Sequence, residues 1–415
     1  VTGPSLERRL GLADAVVIGL GSMIGAGVFV ALAPAAAAAG TGLLVGLAVA
    51  AVVAYCNATS SARLAARYPQ SGGSYVYGRE RLGEFWGYLA GWGFVAGKTA
   101  SCAAMALTVG YYTWPAQAHA IAVATVAVLT AINYVGVKKS ALVTRVIVAV
   151  VLVVLAVVLV VVFTSGAADF GQVRPGGRLG GVLRAAGILF FAFAGYARIA
   201  TLGEEVHDPA RTIPRAIPLA LGITLAVYAA VAVAALSVLG SDGLARSTAP
   251  LAEAVRAAGA PAFEPMVRVG AAVAAVGSLL ALILGVSRTT LAMARDRHLP
   301  HGLSAVHARF KVPHRAELAV GVIVGAVAAF ADVRGAIGFS SFAVLGYYAV
   351  ANASAWTLAG TLGRRLIPTV GLAGCVVLAF ALPLTSVLSG AAVLAVGAAI
   401  YAVQRFRTRP RADGV

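Results

Sequence analysis

The stretch Gly19-Leu-Gly-Ser-Met-Ile-Gly-Ala-Gly-Val-Phe29 lies inside an apolar run from Ala13 to Ala39 and carries Gly19, Gly21, Gly25 and Gly27. A stable membrane helix would place Leu or Ala there, since each interior glycine weakens an α-helix by about 1 kcal/mol relative to Ala. In a bilayer, backbone released from a helix is tolerated only where it is buried in protein or lines a watery cavity, because unpaired N–H and C=O groups facing lipid are costly. A glycine-interrupted first span therefore points to a ligand site near the membrane midplane, with freed backbone groups and half-helix ends turned toward the ligand. Close helix packing accounts for the same glycines, because Gly21 and Gly25 have the four-residue spacing of small-residue contacts, and both can hold.

Outward from this stretch the chain stays apolar. Of its 415 residues 60% are hydrophobic and 11% charged, with a mean hydropathy of +0.91, the composition of a polytopic membrane protein with no length left for a sizeable soluble domain. Twelve all-α spans are expected, at residues 13–39, 42–62, 85–112, 116–136, 143–164, 182–203, 216–239, 264–290, 316–331, 335–360, 367–382 and 385–404. The chain begins at Val1, so a trimmed start is expected, with no cleavable signal before the first span and insertion directed by the spans.

The net charge of +17 would suggest nucleic acid in a soluble protein, but its distribution has a membrane explanation. Alternating the loops between two sides puts 23 Lys and Arg on the side of the termini and 7 on the other, leaving Lys98 and Arg198 inside spans. The positive-inside rule then puts both termini in the cytoplasm of a multi-pass cell-membrane protein. No nucleic-acid partner is expected.

Cys56, Cys102 and Cys375 lie in or beside spans and imply no disulfide or metal framework. Five of the six histidines fall in cytoplasmic loops without metal-ligand spacing and read as solvated. Neither a metal nor a cofactor is expected. Span 5, valine-rich from Val146 to Phe163, reads as a packing or lipid-facing helix, and Ser287-Arg-Thr-Thr290 as a solvated loop junction.

Two spans carry polar signals. Lys98, in Gly97-Lys-Thr-Ala-Ser-Cys102, falls midway between Trp86 and Tyr112, where a lysine costs roughly 3 kcal/mol or more and is by default functional. Span 6 combines Phe191, Phe193 and Gly195 with Tyr196 and Arg198; its aromatics suit plain packing, but two interrupted segments five spans apart match the inverted-repeat pattern of transporters. Arg198 either snorkels or pairs with Glu204 or Glu205 as a latch. The first repeat is read as residues 13–164 and the second as 182–360. They are flanked by a cytoplasmic N-terminus at 1–12, two further spans at 367–404 and a basic tail at 405–415.

Together, Gly21-Ser-Met-Ile-Gly-Ala-Gly-Val-Phe29, Tyr68-Pro-Gln-Ser-Gly-Gly-Ser-Tyr-Val-Tyr77, Phe190-Phe-Ala-Phe-Ala-Gly-Tyr196, Glu204-Glu-Val-His-Asp-Pro-Ala-Arg-Thr-Ile-Pro-Arg215 and Ala294-Arg-Asp-Arg-His-Leu-Pro300 resemble the amino acid-polyamine-organocation (APC) transporter superfamily. The resemblance implies a five-plus-five inverted-repeat fold with broken helices 1 and 6 and a permease working by alternating access. It implies an amino acid whose carboxylate meets backbone N–H groups from Ser22, Met23, Ile24, Gly25 and Ala26 to Gly27. The ammonium would meet carbonyls near Met23 and from Phe191 through Ala192 and Phe193 to Ala194, before Gly195. Phe191 would cover the substrate, with its side chain facing Lys98, Ser101 and Cys102 and spans 8 and 10 closing the pocket near Leu282 and Ser340 or Ser341. Lys98, Tyr196 and Arg198 are the coupling or gating candidates, with a proton or sodium ion as the coupled partner.

Three departures bear on mechanism. Ala197 stands where relatives often carry an acid, span 5 lacks the lysine some relatives have, and Arg63 replaces an expected glutamate. Every Asp and Glu lies in a loop or at a span end, which argues against a mid-membrane carboxylate relay. The positive surroundings favour neutral or acidic amino acids over cationic ones. The alternatives are a cationic amino acid or polyamine exchanger and a nutrient sensor on the same fold. A membrane enzyme would need a catalytic cluster that the core residues do not provide.

Overall fold

With no water in a bilayer core to bond the backbone, each apolar segment must close its hydrogen bonds internally, which a helix does. The computed structural model describes residues 10–68, 72–135, 141–173, 176–196, 199, 206–358 and 362–408; their regular structure is helical, joined by short turns and irregular segments, with one isolated parallel bridge between Leu10 and Val206. The helices are α1 (Leu12–Met23), α2 (Ala26–Val30), α3 (Leu32–Ala39), α4 (Leu43–Arg67), α5 (Ser74–Leu82), α6 (Glu84–Thr113), α7 (Ala118–Tyr134) and α8 (Ala141–Thr164). They continue with α9 (Leu179–Phe193), α10 (Pro209–Arg246), α11 (Pro250–Ala257), α12 (Glu264–Arg295), α13 (His314–Phe330), α14 (Val333–Thr357), α15 (Leu362–Ala381) and α16 (Leu384–Thr408).

Among the described residues nine segments are long and apolar enough to cross a membrane, which makes this a multi-pass membrane protein. The spans expected at 85–112, 316–331 and 367–382 form α6, α13 and α15 but fall outside those nine, α15 as a shorter apolar helix from Arg365 to Ala381. α6 is long but carries Lys98, Thr99 and Ser101 at its centre. α13 has 17 residues, about 25 Å of helix against a hydrocarbon core of about 30 Å, and opens with His314, Arg315 and Glu317.

The helices pack in two groups. α10 packs against α1, α3 and α4, and α9 against α3 and α4, while α6 lies against α7, α12, α13 and α14; α14 also reaches α4, α9 and α15. α8 bridges α1 and α12. Its Val148, Val151, Leu155, Val158 and Val162 are buried at alternating steps of three and four, one helical face, while Val146, Val150, Val153 and Val160 are exposed, as lipid-facing residues should be.

Several expectations change. Ser287-Arg-Thr-Thr290 is no loop junction, because α12 runs on to Arg295 and buries Ser287 and Thr290. Ser287 Oγ donates to the Ile283 carbonyl at 2.7 Å, so the polar residue is satisfied within its own helix. The boundary expected at 405 lies inside α16. Arg198, Glu204, Glu205, Arg8, Arg9 and the tail from 409 lie outside the described residues.

Candidate functional site

α1 ends at Met23. Ile24 donates its N–H to the Leu20 carbonyl and then leaves helical geometry at φ −78°, ψ 67°; Gly25 follows at φ −122°, ψ −139°, and α2 starts at Ala26 with no side chain capping it. Glycine is required there by close approach. A Cβ on Gly25 would stand 2.0 Å from Ser278 Oγ of α12, and one on Gly27 would stand 2.7 Å from the Ala192 Cα of α9. The small-residue packing role is present too, since Gly21 seats the side chains of Val148 and Thr144 of α8.

The second interruption meets the first. α9 ends at Phe193 and Ala194–Tyr196 tighten into a 3-10 turn. A Cβ on Gly195 would lie 2.0 Å from the Ser22 carbonyl oxygen and 2.9 Å from the Met23 nitrogen, so the two backbones touch. Tyr228 of α10, buried at their crossing, donates its hydroxyl to the Met23 carbonyl at 2.6 Å and reaches the Ala192 carbonyl at 3.2 Å. From α14 the Tyr348 hydroxyl approaches the Ala194 carbonyl at 3.4 Å, and its ring packs 5.1 Å from that of Tyr196. Phe193 stacks at a tilt on Tyr228, and Phe191 is buried in the same core. Ser22 Oγ is turned back onto the Ile18 carbonyl.

On α6, Lys98 is 7% exposed and has neither an ion pair nor a hydrogen bond among the described residues. Ser101 Oγ meets Ser340 Oγ of α14, and Cys102 joins a cluster with Leu279 and Ile283 of α12. Lys98, one turn before both, therefore lies on the face of α6 turned toward α12 and α14. Ser341 is buried with its hydroxyl unpartnered. The α12 residue that meets the first interruption is Ser278, one turn before the expected Leu282, which packs partly buried against the Cys102 cluster.

At the α11 end this region is closed. Tyr112 of α6 donates to the Phe29 carbonyl at 2.9 Å, packs edge-on against the Phe29 ring, and accepts the Leu251 N–H of α11 at 3.5 Å. Met23 to Ala36 is an unbroken buried run. A cavity of about 890 Å³ lies elsewhere, at the start of α9.

A second cluster unites two of the motif segments. Tyr75 of α5 donates its hydroxyl to Asp296 and shares a 2.9 Å hydrogen bond with His298 Nδ1, while Arg79 pairs with Asp296 at 3.0 Å and lies over the Tyr75 ring. His298 packs edge-on against Tyr88 and tilted against Tyr401. Burial lowers its pKa, outweighing the raising effect of Asp296 and Glu84, with Arg79 adding to the lowering. The solvated reading of the histidines is thus corrected: His298 is half-buried here, and His307 and His314 pack with Tyr134, whereas His207 and His301 are exposed. Aromatic neighbours drawn from distant helices provide this burial, and loop composition carries no sign of it.

Glu317, expected to be an unremarkable span-end residue, is fully buried with neither carboxyl oxygen hydrogen-bonded among the described residues. Tyr228, Tyr348 and Ser278 escaped sequence reasoning because nothing around them locally departs from ordinary helix composition.

The family model "Amino acid permease" matches residues 14–407. The chain is 74% identical over 408 residues to an uncharacterized transporter of Mycobacterium tuberculosis, covering 97% of this chain and 93% of that protein. It is 28% identical to the branched-chain amino acid permease BcaP of Bacillus subtilis over 75% of this chain and 72% of that one. It is 29% identical to the vacuolar cationic amino acid transporter 4 of Arabidopsis thaliana over 80% of this chain and 60% of that one.

Proposed function

We propose, from the premise that the chain belongs to the amino acid permease family, that it carries a neutral or acidic amino acid across the cell membrane by alternating access. The reading takes twelve spans, with both termini cytoplasmic and two inverted repeats at 13–164 and 182–360. The observation that carries it is the contact between the two interruptions, Gly195 against the Ser22 carbonyl, which brings the ends of α1 and α9 together at one place inside the protein.

In this reading the substrate carboxylate meets the N–H groups from Ser22 to Gly27, and the ammonium meets the carbonyls of Met23 and Phe191–Ala194. Tyr228 holds the Met23 and Ala192 carbonyls in the present conformation, so the arriving ammonium takes over acceptors that the hydroxyl now satisfies. Phe191 covers the substrate. Lys98, without a carboxylate partner, repels a cationic side chain and tolerates or attracts an anionic one. It serves as coupling residue by replacing a bound cation or by giving up its proton during the cycle, with H+ or Na+ as the transported partner, while Tyr196 and Arg198 act at the gate.

Thermal unfolding of the purified protein against the twenty amino acids and small amines tests the substrate class, since a ligand that binds the folded state raises its melting temperature. Stabilisation by a few neutral or acidic amino acids is expected. Stabilisation by arginine, lysine or polyamines alone would replace this reading with the cationic exchanger, and none at all would favour a sensor. Proteoliposome uptake by Lys98→Ala, with and without a proton gradient, tests coupling; wild-type rates with unchanged gradient dependence would remove Lys98 from the mechanism.

A further inference from the structure

The 890 Å³ cavity lies away from the two interruptions, between the end of α3 at Ala38 and Ala39, the start of α9, and the turn joining α15 to α16. Arg178, immediately before α9, and Arg184, on its second turn, both line it. Arg184 Nε reaches the Ala381 carbonyl at 3.4 Å, which fixes it at the level of that turn. Neither arginine has a carboxylate partner among the described residues. The remaining wall is apolar and open to the outside: Phe380 is 68% exposed and Leu384 69%, with Val387 beside them.

Arginines near a span end ordinarily reach headgroups without selecting one. This site differs in having a cavity lined by two guanidinium groups and an adjoining apolar wall. The turn between the apolar helices α15 and α16 marks the boundary of the bilayer, so Arg184, bonded to that turn, sits at headgroup depth while Phe380 and Leu384 face the acyl region. Guanidinium groups bind phosphate through paired N–H donors, and the site contains no acid to repel it.

We propose that this cavity binds one anionic phospholipid, with its phosphate on Arg178 and Arg184 and an acyl chain along Phe380, Leu384 and Val387. The bound lipid ties α3 and α9, the segments adjoining the two interruptions, to the α15–α16 pair, and so stabilises their present arrangement. The inference needs only a membrane-embedded chain and does not depend on which substrate is carried.

The test uses the full-length protein in detergent, titrated with phosphatidylglycerol or with phosphatidylcholine of the same acyl chains, and read by melting temperature and by native mass spectrometry. Phosphatidylglycerol is expected to raise the melting temperature by several degrees and to remain bound as one molecule per chain, while phosphatidylcholine does neither. The variant Arg178→Gln/Arg184→Gln should lose the retained lipid and weaken the phosphatidylglycerol response at least tenfold, with its melting temperature in phosphatidylcholine unchanged. Should the double variant fold poorly, Arg178→Gln alone, on an exposed residue outside the helix, should weaken the response severalfold. Equal responses to both lipids, or a phosphatidylglycerol response that survives the substitutions, would overturn the proposal. Glycerol 3-phosphate or inorganic phosphate reproducing the full shift would overturn the lipid assignment in favour of a soluble anion.

Discussion

Tyr228 joins the two interruptions through one hydroxyl. Its hydroxyl bonds the Met23 carbonyl, which also accepts the Gly25 N–H at 2.8 Å, and reaches the Ala192 carbonyl, and a buried hydrogen bond contributes about 0.5–1.5 kcal/mol. Tyr228→Phe should therefore lower the melting temperature of the ligand-free protein. A substrate ammonium that bonds the same carbonyls would restore what was lost, so the substrate-induced rise should be larger in the variant than in the wild type. Thermal unfolding with and without substrate measures both; an equal rise in the two proteins would mean that Tyr228 is structural and the ammonium binds elsewhere. Glu317 carries a comparable cost, a buried carboxyl without a hydrogen bond among the described residues and with the charge of Arg288 as partial compensation.

At the scale of elements, the approach of α2 to α12 depends on the missing side chain at Gly25. Gly25→Ala places a Cβ on Ser278 Oγ, and the expected result is near-complete loss of uptake at normal expression. Adding Ser278→Gly removes the obstructing atom and should recover a substantial part of the transport, whereas the same change should not rescue Gly195→Ala, whose obstruction is the backbone of Ser22 and Met23. Proteoliposome uptake by the single and double variants decides this. The junction between α5 and the loop after α12 carries a pH prediction. Because burial lowers the His298 pKa from its ordinary 6.5, the unfolded chain binds the extra proton first. The contribution is therefore complete above about pH 6.5 and declines as the pH falls below it. Melting temperatures across this range should fall more steeply for the wild type than for His298→Gln; parallel curves would show that the histidine is not the group responding.

For the whole molecule, the excess of Arg and Lys on one side predicts an orientation that chemical labelling can read. Cys56, Cys102 and Cys375 are all buried, so background labelling is expected to be low. In intact cells a membrane-impermeant maleimide should modify Ala262→Cys, in the exposed turn before α12, and leave Ala308→Cys, in the exposed loop before α13, unmodified until the membrane is permeabilised. The reverse pattern would invert the molecule and place its basic loops outside.

Much of this protein is written locally along the chain. Unbroken apolar runs require helices because a bilayer offers the backbone no other partner, and the glycines of Gly19–Phe29 mark where two segments approach too closely for a side chain. Motif order was enough to identify the family. What only the tertiary structure decided is which atoms meet across the helices: Ser278 against Gly25, Tyr228 on two carbonyls, and His298 drawn out of solvent by Tyr75, Tyr88 and Tyr401. These contacts join residues up to 253 positions apart, and they depend on the tilt and axial register of packed helices. Hydropathy and period constrain which face of a helix is buried, but the turn that meets a given neighbour follows from interlocking side chains of several helices at once.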